Sequence, residues 1–132
     1  MNIYYHIKNA ITNAWYDFRS RCQRFKRGWA YGDVWDIDQW FMCTIKPMLI
    51  HLKNNGTSYP IGFNDISEWR TVLEEMINCL NFMDEDYTLD FLDFDNYDCM
   101  TRDDWEHVYE IRINNKNRFF ELFSEHFYDL WD

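Results

Sequence analysis

The sequence predicts an all-α protein: an irregular bundle of about four helices, with a proline-kinked second helix and an acidic loop before the last. Three observations predict it. The 132 residues hold only two prolines and four glycines, too little punctuation for many short strands. Apolar residues recur at threes and fours over long stretches, the period of a helix with one buried face. Two of those stretches open on a polar capping residue with an acid three positions later, the mark of a helix start.

Helix one is expected from about Ile3 to Lys26, with the stripe Ile3, Ile7, Ala10/Ile11, Ala14, Phe18, Cys22 and Phe25. Its late cations suit the negative end of the helix dipole, and Gly28 suits a left-handed C-terminal cap. Helix two is expected from Asp33 to about Asn54, with the stripe Val34, Ile37, Phe41, Ile45, Met48 and Leu52. Pro47 removes one backbone bond and should kink or split it near Lys46. Asn55-Gly56 ends it, and Tyr59-Pro60 lies in a loop. Helix three starts at Asp65 in DISEW, a capping box in which Glu68 reaches back, and buries Ile66, Trp69, Leu73, Met76/Ile77 and Leu80. In residues 84–100, acids alternate with aromatics and leucines, which reads as a loop with a short helical turn. Helix four starts at Thr101 in TRDDW. Its stripe is Trp105, Val108/Tyr109, Arg112, Lys116, Phe119, Phe123, Phe127 and Leu130, and INNKN at 113–117 is a place to bend.

The length fits one domain, 1–132, able to hide roughly two thirds of its unfolded surface. With 11 Phe, 9 Tyr and 7 Trp, the chain is too aromatic to be disordered despite its net charge of −10. Aromatics in this number overfill a small core, so some are expected on the surface as interface or ligand groups. No uncharged apolar run approaches the ~18 residues of a membrane span, and the N-terminus has no secretory cleavage pattern. The chain therefore reads as cytoplasmic with no membrane partner. Cys22, Cys43, Cys79 and Cys99 are far apart, without CxxC spacing, and read as free thiols of a reducing compartment.

Charge is unevenly placed. Residues 1–27 hold Lys8, Arg19, Arg21, Arg24, Lys26 and Arg27 against Asp17 alone; residues 84–104 hold nine acids against Arg102 alone. At 100° per residue, Asp38 falls at about 40° from Val34, inside the apolar stripe of helix two. A buried carboxylate needs a partner, and Arg112 on the stripe of helix four is the candidate. The alternative makes Asp38 a ligand-contacting or acid–base group. Trp35 and Trp40 fall off the stripe, to pack against neighbouring helices or to stand exposed as partner anchors.

Catalytic and metal patterns are weak. Asp104 and His107 have a ligand spacing with no second pair to complete it, and Asp93-Phe94-Asp95 begins like a calcium loop but lacks its Gly and Glu. No cofactor is implied. The basic segment RSRCQRFKRGW is more specific: Arg19, Arg21, Arg24, Lys26 and Arg27 could neutralise phosphates while Trp29 and Tyr31 stack on a base. The bland alternative is a solvated helix end. Net negative charge disfavours long duplex DNA.

Arg27-Gly28-Trp29, Asp33-Val34-Trp35 and Ile37-Asp38, with Tyr59-Pro60, Glu68-Trp69 and the closing LFSEHFYDLWD at 122–132, resemble a family of small uncharacterised phage and prophage proteins. The resemblance implies a phage gene acting in a bacterial host's cytoplasm and supplies no substrate. In that family Ser and acidic residues after the Gly-Trp cap a helix. Ala30, Tyr31 and Gly32 stand here instead, so the cap is weak or shifted.

Three functions follow as expectations. The first is a non-enzymatic binding protein that sequesters a phosphate-bearing nucleotide signal in counter-defence, as a homo-oligomer whose surplus aromatics pack between subunits. The second is an inhibitor of a host protein. In it, the acids of 84–104, among them Asp90, Asp93 and Asp95, mimic nucleic acid beside Tyr87, Phe91, Phe94 and Tyr97. The third is a small enzyme using Asp38 or His107.

Overall fold

A computed structural model describes residues 3–94 and 97–131. The protein is all-α, with no named strand among the described residues. Among the described residues five α-helices follow one another: α1 (Ile3–Arg27), α2 (Ile37–Asn55), α3 (Ile66–Met83), α4 (Glu85–Phe91) and α5 (Arg102–Glu125). Short 3-10 turns stand at Tyr31–Val34 and Tyr97–Cys99. None of the helices, searched over the described residues, is long and apolar enough to cross a membrane. The chain divides into two compact units, Met1–Phe41 and Met42–Asp132, the division falling inside α2.

The second unit holds the core. α3 packs along α5, and α4 packs against both. Trp69, Leu73, Met76, Ile77 and Leu80 of α3 are buried, as their spacing predicts, with Leu89 of α4 and Val108, Phe119 and Leu122 of α5. Thr88, also fully buried, donates its hydroxyl to the carbonyls of Phe82 and Asp84 and so ties the end of α3 to the start of α4. Asp84 serves both helices: it is the C-cap of α3, and its carboxylate accepts the Tyr87 amide as N-cap of α4. The helical turn expected within 84–100 is thus a full short helix. Asp93 at φ 62° ends it, with the Phe94 amide returning to Leu89. Asp95 lies outside the described residues.

Helix starts follow their caps. Asp65 accepts the Ser67 and Glu68 amides, while Glu68 accepts the Asn64 amide, one residue before the position a capping box predicts. Thr101 and Asp104 form the reciprocal box. α2 runs through Pro47 as one helix rather than splitting; Pro47 is exposed, where water can stand in for the missing bond. At its end, Gly56 donates to the Leu52 carbonyl, and a Cβ there would lie 2.5 Å from that same oxygen.

Four expectations change. α5 is unbroken through INNKN, and its buried line passes through Asn115, half-buried with its amide donating to Ile111; Lys116 is exposed. A step of four from Ile111 gives Asn115, and the next step reaches Phe119. Helix two begins at Ile37, not Asp33, because Asp33 is engaged in the preceding 3-10 turn. Asp38, in the first turn of α2, is exposed. Arg112 donates to the Met83 carbonyl and to Glu85, both within its own unit. The helical count from Val34 misplaced Asp38 because Val34 belongs to a different helix type. Finally, the stripe of α1 from Ile7 onward is exposed: in the first unit, Ala30 alone is buried among the residues whose burial is described.

Candidate functional site

The site is built where α1 ends and the chain turns into α2. Gly28, at φ 81°, takes the left-handed conformation that stops α1, and its amide closes on the Arg24 carbonyl at 2.8 Å. The turn is then stapled by side chains. Arg24 donates Nε and Nη2 to the two carboxylate oxygens of Asp33, at 3.1 and 2.5 Å. Asp33 also accepts the Ala30 amide at 2.7 Å. The Arg24 guanidinium, and then the Ala30 amide, hold the Asp33 carboxyl below its ordinary range. Gln23 Oε1 accepts the Tyr31 amide at 2.9 Å and a longer bond from Arg27 at 3.4 Å. Trp40 Nε1 donates to the Gly28 carbonyl at 3.3 Å, drawing the first turns of α2 onto the junction.

Arg27 is the centre of the exposed face. Its guanidinium carbon lies 3.9 Å from the Trp29 ring centroid and 4.1 Å from that of Tyr31, and Nε donates to the Trp29 carbonyl. The two rings meet edge to face at 6.1 Å. The Tyr31 phenol is pushed down by Arg27, with a smaller push from Arg19, so both cations act on one exposed oxygen. Trp29 also walls a cleft of about 230 Å³ shared with Asp33, Val34, Ile37 and Trp40. The junction therefore offers a mainly apolar cleft lined by two indoles beside a cationic face.

Of the seven predicted ligand-binding residues, Arg24, Arg27, Trp29 and Tyr31 come together here, and Arg19 reaches the same field. Arg24 is engaged by Asp33 and staples the turn. Lys26 is exposed on the side of α1 that carries Arg19; Arg21, at 100° per residue, points to the apolar stripe. The sequence reading missed Gln23 and Trp40 as junction residues. It also took Asp33 for a helix start, although an acid three residues after Ala30 is the pattern of the cap it forms.

The acidic segment is partly engaged in folding. Tyr87 and Phe91 both pack edge-on against Phe82, Tyr97 stacks on Trp105, and Phe94 is half-buried. Glu85 pairs with Arg112, while Asp86, Asp90 and Asp93 stay exposed. A larger open groove of about 880 Å³ runs beside α3. Two of its cations are paired with its acids, Lys53 with Glu74 and Arg118 with Glu75, and the third, Arg70, donates to the Gly56 carbonyl. Asp38 and His107 are both exposed. Among the described residues no cluster of His, Cys, Asp or Glu is placed to hold a metal, and Cys22, Cys79 and Cys99 are free thiols. No family model, curated protein or solved structure matches this chain.

Proposed function

We propose that the protein acts by binding, and that the junction after α1 takes a nucleotide. The observation that supports this is the position of Trp29: one ring belongs both to the cleft with Trp40 and to the stack with Arg27. A base held in that cleft would leave its phosphates beside Arg27, Arg19 and Lys26, where donors are charged and Asp33 is engaged by Arg24. With the resemblance to phage proteins, the reading becomes sequestration of a nucleotide signal in a bacterial host. The test is calorimetric titration with a nucleoside triphosphate at physiological salt. The wild type should bind saturably, and Arg19→Glu with Lys26→Glu should weaken binding at least about tenfold. No saturable binding by the wild type sinks the reading.

A second reading is favoured by one observation: Asp86, Asp90 and Asp93 remain exposed around Phe91, itself exposed. Such a surface would dock on a basic host protein. That complex would weaken steeply with salt and compete with DNA.

A further inference from the structure

We infer that α1 pairs with α1 of a second copy of this chain along its uncovered apolar face. Ile7, Ile11, Ala14, Phe18, Arg21 and Phe25 step by four, three, four, three and four residues, the spacing of a coiled-coil seam. The large apolar members are open to solvent: Ile7 54%, Ile11 66%, Phe18 60% and Phe25 93%, with Trp15 on the flank at 62%. Taking roughly 150–200 Å² for a large apolar side chain, these exposures sum to about 600 Å² per copy. A pair would then cover about 1,200 Å², which reaches the ~1,000 Å² of a specific interface.

Two further facts select a second copy as the occupant. The cations of α1 are placed to permit it: on the heptad, Arg19, Lys26 and Arg27 fall on outer positions, and Arg21 is the one charge in the seam. A lipid surface is the other chemistry a basic amphipathic helix can meet, and vesicle binding is therefore one arm of the test. The first unit also has almost no core of its own, Ala30 being its sole buried residue among those whose burial is described. A segment of that size keeps an ordered form by covering its apolar face on a partner. Pairing would leave the Arg19–Lys26–Arg27 side of each helix outward, so the inference does not depend on the nucleotide reading.

Sedimentation equilibrium of the full chain tests it. The wild type should be dimeric at high micromolar concentration, and Ile11→Glu with Phe18→Glu should be monomeric with an unchanged thermal melt of the α3–α5 core. Arg21→Leu removes the seam charge and should tighten the dimer at least about tenfold, a gain that misfolding cannot imitate. Three results would overturn the inference: a monomeric wild type, a dimer that survives the double substitution, or stripe-dependent binding to phosphatidylserine vesicles without self-association.

Discussion

A single carboxylate closes the turn after α1: Asp33 takes two guanidinium nitrogens from Arg24 and the amide of Ala30. Both interactions favour the charged form, so its folded pKa is depressed. A depressed carboxylate contributes stability above its unfolded pKa and loses it as pH falls through the folded value. Glu68, held low by Asn64, and Asp104, held low by Thr101, have the same sign. Acid below about pH 4 should therefore loosen the junction and both helix starts together. Amide exchange at Ala30 reports the junction directly, because that N–H is the donor. Relative to its intrinsic rate, it should speed several-fold in Asp33→Ala at neutral pH, and in the wild type on acidification. Protection at Ala30 that survives the substitution would remove Asp33 from this role.

Among the elements, α4 depends most on one buried polar contact. The Thr88 hydroxyl, without exposure, reaches two carbonyls where α3 gives way to α4. Thr88→Val keeps the shape and strips the donor; the Asp84 carbonyl keeps the Thr88 amide, while the Phe82 carbonyl loses the hydroxyl. The substitution should cost about 1–3 kcal/mol of unfolding free energy in urea, with Thr88→Ser recovering most of the loss. A melt unchanged in Thr88→Val would count against the contact. The same joint shows what the sequence could reveal. α3 was legible because its apolar positions sit at one period and Asp65 stands just before them. α4 was not, since a seven-residue helix offers under two turns of period and its cap doubles as the end of α3. The basic and aromatic members of the junction could be read from composition, but the Arg24–Asp33 staple could not. It spans nine residues and forms only because the chain turns at Gly28. Asp38 was misplaced on its helix for a related reason: one helical phase was carried across a 3-10 turn.

At the scale of the whole molecule, charge and burial divide along the same line. Residues 1–41 hold six bases and four acids, +2, while residues 42–132 hold seven bases and nineteen acids, −12. Apart from Ala30, every buried hydrophobic residue named here lies in the second unit. Stability should be divided in the same way. Buried helix amides open only with global unfolding, whereas those of a helix without a covered face open locally at little cost. In hydrogen exchange at low protein concentration, α3 and α5 should show the full protection of the domain, about 5–15 kcal/mol. Under the same conditions α1 should show almost none. Raising the concentration should protect α1 and leave α3 unchanged, because association stabilises only what it covers. α1 amides as protected as those of α3 in dilute solution would mean that α1 is held by its own chain rather than by a partner.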